Sequence, residues 1–242
     1  MRRSTLIDLI GIELNPSSHS EKLISGVGAF IAIFAIYNIS YLMLGEDALL
    51  LVTSMGAATV LLFSVPHGPL SQPWPLFGGN LISACIGVAC AQLIPDTFIA
   101  AAAAVGLSVT IMYYLKCIHP PGGATALSAV VGGSAVESLG FQYVITPVLL
   151  NVLVIFSVAV LFNFLFKWRR YPARLAKIET KNRTAANESA RLSHQSIEHA
   201  LRQIDSFIDI SEEDLNRVYL LASEYDNSPT SKTGVNKETN KT

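Results

Sequence analysis

Two stretches of this chain combine residues that can do chemistry with residues that break helices. One reads HPPGGAT from His119 to Thr125, and the other reads HGPLSQPW over 67–74. Proline lacks a backbone N–H and disfavours helical geometry in the residue before it, so a helix must end before His119 and another begin after it. The first N–H groups of a helix have no internal partners and carry partial positive charge, which favours anions. The sequence therefore indicates a candidate site for a small anion.

The candidate anion contacts lie in or beside these two breaks, and each has a second interpretation. His119 is either a protonatable contact or a helix-ending residue that bonds a free carbonyl. Lys116 either lends charge to the site or reaches toward lipid headgroups. The small residues either supply open amides, with helices starting at Gly78 and Gly122, or allow close helix packing. The full candidate set is His119, Pro120, Pro121, Gly122, Gly123, Thr125 and Lys116, with Asn80 and Ser83 after the first break, and His67, Ser71 and Gln72 if the two breaks meet.

The rest of the chain shows no pattern typical of an enzyme. We find no nucleophile elbow, phosphate-binding loop, metal-ligand cluster or intramembrane carboxylate pair, so we expect neither enzymatic activity nor a cofactor. The three cysteines, Cys85, Cys90 and Cys117, lie in apolar context and are predicted to be free and to form small, buried hydrophobic side chains.

The charge distribution divides the chain into a membrane body and a polar tail. Of the 242 residues, 51% are hydrophobic and 14% are charged. Between Leu23 and Phe166 the formal charges are confined to Glu46, Asp47, Asp96, Lys116 and Glu137. From Lys167 onward the chain carries 13 of its 17 Lys and Arg residues. The bilayer is thus the expected partner of the first part, and nothing points to nucleic acid.

Hydrophobic runs and basic loops predict an all-α membrane protein with about six transmembrane helices. Five runs approach the roughly 20 residues that a crossing needs: Leu23–Leu44, Ala48–Val65, Leu76–Ile94, Phe98–Lys116 and Tyr143–Phe166. The run Gly122–Val136 is shorter, so it either spans or re-enters. Counting it as a span places all the basic segments on one face, and by the positive-inside rule that face and both termini are cytoplasmic.

The two ends of the chain are predicted to lie outside the bilayer. Residues 1–20 are expected to form an interfacial segment, followed by the membrane domain over 21–168. Residues 169–226 are expected to form a cytoplasmic helical hairpin whose second helix buries Leu215, Val218 and Tyr219. The polar composition of 227–242 predicts disorder.

The two helix breaks also resemble each other. Each has a histidine, a proline, a Gly-Gly pair, a Ser-Ala pair and a further glycine. Internal duplication of a transporter leaves such echoes, although small-residue packing in membrane helices also produces them.

Together, HPPGGATALSAVVGG and the upstream PLSQPW, GG and SA elements resemble the HPP family of integral membrane proteins, over roughly residues 20–170. The resemblance implies nitrite transport, as associated with plant and cyanobacterial members. It also implies a bacterial inner (plasma) membrane location. The family typically has a basic residue near the position of Trp74, so this loop is not expected to supply a cationic contact. Bacterial members often carry CBS domains; the segment 193–225 resembles the connector to them, but we expect no adenosyl regulation here.

The sequence thus predicts a transporter or channel for a small inorganic anion, with nitrite or a related oxyanion favoured. The alternative is a non-transporting scaffold or sensor partner that acts through its cytoplasmic tail. Homo-oligomerisation is left open.

Overall fold

The computed structural model describes residues 18–44, 48–175, 210 and 215–220, with only the backbone described for 43, 44 and 48–53. These residues are mostly helical, with no strand in the described ranges. The predictions for residues 1–17, for 227–242 and for most of the tail hairpin lie outside the described residues.

Seven α-helices form the described body of the chain, joined by short turns. They are α1 His19–Leu44, α2 Ala48–Ser64, α3 Pro73–Leu93, α4 Thr97–Tyr114, α5 Pro120–Val131, α6 Gly133–Leu139 and α7 Leu150–Phe164. A 3₁₀ turn at Pro69–Ser71 precedes α3, a π-helical segment at Val144–Leu149 leads into α7, and a 3₁₀ turn at Lys167–Arg169 follows it.

Four helical stretches in the described residues are long and apolar enough to cross a bilayer: His19–Leu42, Pro73–Leu93, Thr97–Tyr114 and Val144–Phe164. Helix α2 has 17 residues and α5 only 12. At 1.5 Å per residue, α5 is about 18 Å long, well short of the roughly 30 Å hydrocarbon core. A count of six crossings therefore remains a prediction.

The helices that follow the two breaks, α3 and α5, start earlier than the sequence suggested. Helix α3 begins at Pro73 and α5 at Pro120, with proline in the first turn of each. Proline is tolerated there because its missing N–H would have had no intrahelical partner. The expectation that these helices start at Gly78 and Gly122 is wrong: both glycines lie inside a helix.

Helix α5 is central, packing against α2, α3 and α4, while α1 packs on α2 and α7. Its contact with α3 runs along small residues. A Cβ added to Gly122 would lie 2.6 Å from the Gly79 carbonyl oxygen, and one added to Gly87 would lie 2.5 Å from that of Ala126. The close approach needs glycine at both places. This contact between α3 and α5, lined by Gly79, Gly87 and Gly122, is called the glycine seam below. It agrees with the interpretation that the small residues allow close helix packing.

Two asparagines on α7 fasten it to its neighbours. Ser40 Oγ on α1 donates to Asn151 Oδ1 at 2.8 Å, and Asn163 Nδ2 donates to the Leu62 carbonyl of α2 at 3.4 Å. An asparagine within a long apolar run is predicted to hydrogen-bond another helix, and Asn151 and Asn163 both confirm this prediction. The three cysteines are free, as predicted, but Cys85 is exposed rather than buried.

Candidate functional site

His119 lies at the start of α5, with its side chain completely buried. Its Nδ1 is 3.0 Å from the backbone carbonyl oxygen of Leu70. A carbonyl oxygen can only accept, so Nδ1 must be the protonated nitrogen. The other nitrogen, Nε2, has no hydrogen-bond partner within the described part of the chain. Since buried polar atoms are nearly always satisfied, the unpartnered Nε2 is an unusual feature of this part of the structure.

The contact with Leu70 brings the two helix breaks together. The turn that carries Leu70 is braced from within: Ser71 Oγ donates to the Leu61 carbonyl at 3.1 Å, and Gln72 Nε2 donates to the Gly68 carbonyl at 2.9 Å. On the other side, a Cβ at Gly79 would lie 2.4 Å from His119 Cβ. The His119 side chain therefore lies between the turn and α3, and the hydrogen bond to Leu70 orients its ring.

A second polar group joins α3 to α5 one turn further along. Thr125 Oγ1 donates to Asn80 Oδ1 at 2.8 Å, and Asn80 Nδ2 donates to the Leu76 carbonyl at 2.8 Å. Tyr143 OH donates to the Thr125 carbonyl at 3.0 Å. Thr125 and Asn80 thus satisfy each other in the interior. Their side chains are committed to holding the helices together.

Two serines face the interior where α3 and α4 pack beside α5. Ser83 on α3 and Ser108 on α4 are both completely buried. Ser83 Oγ is 3.9 Å from the sulfur of Met112, a weak contact, and Ser108 Oγ has no partner among the described residues. Met112 lies one helical turn from Ser108, and its sulfur is 3.4 Å from the Cβ position of Gly79. We call the region where α3, α4 and α5 pack together the α3–α4–α5 interior; it contains the buried side chains of Ser83, Ser108 and His119.

The amides at the start of α5 are less available than the sequence suggested. Pro120 and Pro121 have no N–H, and the Gly122 N–H donates to the His119 carbonyl at 2.8 Å. The expectation of an open amide at Gly122 is therefore wrong. Gly123 is half-buried, with Val105 as its nearest neighbour. Gly133 lies at the end of the same small-residue run, for which the sequence favours helix packing, but it has nothing within 4 Å of its Cβ position and a φ of +76°.

The remaining predicted contacts serve other purposes in the structure. His67 Nε2 lies 3.0 Å from the Arg170 carbonyl oxygen, and Gln72 Oε1 accepts from the Ala173 N–H at 3.1 Å. Both side chains thereby tie the first break to the segment after α7. Lys116 is exposed and adopts a φ of +54° at the end of α4. Among the described residues, none of these three side chains forms a hydrogen bond with His119.

Arg169, like Ser108, is a residue that sequence reasoning missed. It was counted as one charge in a basic cluster, yet its side chain is only 1% exposed. The guanidinium contacts Glu21 of α1, donates from Nε to Asn163 Oδ1 at 3.1 Å and from Nη1 to Ser25 Oγ at 3.1 Å, and reaches the Phe63 carbonyl of α2. Burial lowers the pKa of Arg169, while the charge of Glu21 opposes that shift. The available clue was Glu21, an acidic residue at the start of the first hydrophobic run.

The electrostatics of the α3–α4–α5 interior depend on neutral dipoles and one histidine. Helices α2, α3, α4 and α5 contain no Asp, Glu, Lys or Arg. Asp96 lies at the opposite end of α3, where its carboxylate caps α4 by accepting from the Ile99 N–H at 2.9 Å. A protonated His119 would therefore be the charge closest to the site, and it would be positive.

The apolar helices, the glycine seam and the histidine break define the class: a multi-pass α-helical membrane protein. The family described as HPP, transmembrane region, matches residues 14–172, so the chain belongs to the HPP transmembrane family.

Two relatives from Dictyostelium discoideum, both described as transmembrane proteins, are similar to this chain. One is 35% identical over 153 residues, covering 61% of this chain and 49% of the relative. The other is 38% identical over 128 residues, covering 50% of this chain and 44% of the relative. The chain therefore spans about half the length of these relatives. No solved structure matches it.

Proposed function

We propose that this protein is a transporter or channel for a small oxyanion, with nitrite the substrate favoured by the family resemblance. The observation that carries the proposal is the pair of buried, unpartnered polar atoms, His119 Nε2 and Ser108 Oγ, in the α3–α4–α5 interior. Leaving such an atom unsatisfied costs about 1–3 kcal/mol, so a structure that needed only packing would favour apolar side chains there.

The chemistry of this interior suits an anion better than a cation. An ion that leaves water must have its hydration replaced by fixed dipoles or charges. Serine hydroxyls can donate to an oxyanion, and a protonated imidazole adds positive charge. A dehydrated cation would lack a carboxylate, because α2 to α5 contain none.

The arrangement of charges supports an orientation for transport. Lys116, Arg169 and the His67 turn belong to one end of the helix bundle, whereas Asp96 lies at the other. By the positive-inside rule we propose that the first end, with the His119 break, faces the cytoplasm across a bacterial inner (plasma) membrane.

Uptake of labelled nitrite, nitrate and formate into proteoliposomes tests the function. We expect Ser108→Ala to raise the half-saturating concentration about tenfold or more, since a hydrogen bond to a charged group contributes about 1.5–3 kcal/mol. Ser157→Ala is the matched control, because Ser157 is exposed on α7 and bonds only the Leu153 carbonyl of its own helix. Uptake of every anion at the rate of protein-free vesicles would overturn the proposal.

The competing function is a scaffold that acts through the tail, and one observation favours it. Residues 215–220 are helical, and Val218 and Tyr219, predicted to be buried, are 58% and 44% exposed. An apolar helix face of this kind can dock a partner. A scaffold would show no anion flux, and Val218→Glu would release a co-purifying partner without changing the thermal stability of the membrane domain.

A further inference from the structure

The hydrogen bond to Leu70 determines whether His119 Nε2 is a hydrogen-bond donor or acceptor. Because the Leu70 carbonyl can only accept, the proton of the neutral ring sits on Nδ1. Nε2 is then an acceptor with a lone pair. It becomes a donor only when the ring takes up a second proton and turns into imidazolium.

This tautomer conflicts with the binding of an unaccompanied anion. A lone pair on Nε2 repels a carboxylate-like or nitrite oxygen, whereas an Nε2–H donates to it and adds a positive charge. Neither a ring flip nor the other tautomer avoids the conflict without cost, because the hydrogen bond from Nδ1 to the Leu70 carbonyl would be lost. An oxyanion at Nε2 therefore requires a proton on that nitrogen.

Few other groups could supply or hold that proton. The adjoining turns carry His67, which is bonded to the Arg170 carbonyl, and Lys116, which is exposed. The Cys117 thiol lies against Gly78.

The surrounding helices add few titratable side chains. Among described side chains, the titratable ones on α2, α3, α4 and α5 are Cys85, Cys90, Tyr113 and Tyr114, and three of them are exposed. Tyr143, which precedes α7, is buried and donates its OH to the Thr125 carbonyl of α5. In the segment after α7, Arg169 is paired with Glu21, Tyr171 OH donates to the Ser71 carbonyl and the Arg170 carbonyl faces His67.

We propose that His119 couples oxyanion binding to the uptake of one proton, so that the oxyanion and a proton cross together as the equivalent of a neutral weak acid. This rests on the proposed function. On binding, Nε2 gains a proton and donates an N–H···O bond to the oxyanion; on release, the proton leaves Nε2 together with the anion, and the neutral tautomer is restored. The cycle moves no net charge and involves no oxidation or reduction.

The test measures nitrite and protons together in proteoliposomes of the full chain. Initial nitrite uptake is followed with a pH-sensitive dye in the lumen, with the membrane potential clamped by potassium and valinomycin. We expect lumenal acidification at one proton per anion, above the rate in protein-free vesicles, and no dependence on the clamped potential. Because one pH unit is a tenfold difference in proton activity, an outside pH one unit lower would raise the anion accumulation ratio about tenfold.

Two substitutions at His119 distinguish the role of a hydrogen-bond donor at Nε2 from the role of a titratable proton. His119→Gln places a permanent N–H donor near the position of Nε2, so we expect uptake to persist, lose its pH dependence and become sensitive to the potential. His119→Asn keeps a donor for the Leu70 carbonyl but has no atom at Nε2, so we expect at least a tenfold loss of uptake. His19→Gln, at an exposed histidine at the start of α1, is the control and should change neither rate nor coupling.

The outcomes distinguish the two proposals. No uptake of any anion by the unsubstituted protein would overturn the transport function itself. Uptake that responds to the clamped potential without lumenal acidification would leave transport intact and overturn proton coupling. Unchanged coupling in a folded His119→Gln protein would also overturn the role of His119.

Discussion

At the scale of single residues, the described interior of this membrane protein contains two kinds of polar group. Some have hydrogen-bond partners that hold the helices together, and others have none. Thr125, Asn80 and Tyr143 form a satisfied chain of hydrogen bonds. His119 Nε2 and Ser108 Oγ do not. Because water is scarce in such an interior, an unsatisfied group is costly and a satisfied one adds rigidity. Substitution should therefore affect stability in the first set and binding in the second.

Thr125→Val tests the first set. The change keeps the side-chain shape but leaves Asn80 Oδ1 without its donor, so we expect the free energy of unfolding to fall by about 1–2 kcal/mol. Thermal denaturation of the purified protein in detergent measures it. Thr110→Val is the control, because Thr110 is exposed on α4 and bonds only the Gly106 carbonyl of its own helix. Equal midpoints for the two variants would contradict the structural role of the Thr125–Asn80 bond.

At the scale of elements, the two helix breaks lie where α3 and α5 approach each other closely. Gly79 and Gly122 face each other across the seam, and His119 occupies the space beside Gly79. Prolines at Pro73 and Pro120 set where the two helices begin. The similarity between the two sequence stretches thus corresponds to a contact between them. Whether the two halves arose by duplication remains a hypothesis.

Gly122→Ala tests the seam. The new Cβ would lie 2.6 Å from the Gly79 carbonyl oxygen and 2.9 Å from Ser83 Oγ, so the helices must separate. Overpacking of this kind costs about 1–3 kcal/mol, and we expect a lower yield of monodisperse protein and a lower melting midpoint.

The matched control is Gly106→Ala in α4, where nothing lies within 4 Å of the Cβ position. Alanine is favoured over glycine in a helix interior by about 0.5–1 kcal/mol, so this variant should be unchanged or slightly more stable. If both alanine variants raised the midpoint equally, the close approach of α3 and α5 would be refuted.

At the scale of the whole molecule, one buried cation joins parts of the chain that lie far apart in sequence. Arg169 follows α7, and its guanidinium reaches Glu21 at the start of α1, Asn163 near the end of α7 and the Phe63 carbonyl on α2. Arginine suits this position because its planar fork of donors can serve several acceptors at once. Arg169 thereby joins α1, α2 and α7 at the basic end of the bundle.

Arg169→Ala should open this junction. Removing one partner of a buried ion pair costs about 3–5 kcal/mol, and we expect the lower end of that range because the Glu21 side chain is 27% exposed. Denaturation midpoints of Arg169→Ala, Glu21→Gln and the double variant form a cycle, in which the double variant should lose less than the sum of the single losses. Arg174→Ala, at an exposed arginine in the same basic segment, should be neutral. Strict additivity would contradict the pairing of Arg169 with Glu21.

Much of the architecture follows from local sequence because the bilayer restricts the choices. Long apolar runs become helices, prolines at 120 and 121 stop one helix and start the next, and asparagines within an apolar span find partners on other helices. The helical class, the existence of both breaks and the bonds of Asn151 and Asn163 were all predicted in this way.

The roles of particular side chains did not follow. Gly122 looked like an open amide but packs against Gly79, because its N–H is used by His119 and its missing Cβ is what α3 requires. The sequence indicates Arg169 only as one of the basic residues that mark the cytoplasmic face. Its side chain is nevertheless buried, because its acceptors come from three separate helices. Neither fact can be derived from spacing along one segment.

The sequence by itself determined that this is a helical membrane protein of the HPP family with two histidine-led breaks, since hydropathy and proline chemistry act over a few neighbouring residues. Only the tertiary structure decided that the breaks meet, that Leu70 fixes the tautomer of His119, and that Nε2 and Ser108 Oγ are left open in the interior. These depend on atoms up to 49 residues apart coming within about 3 Å, a distance set by how the helices pack and not by any local preference.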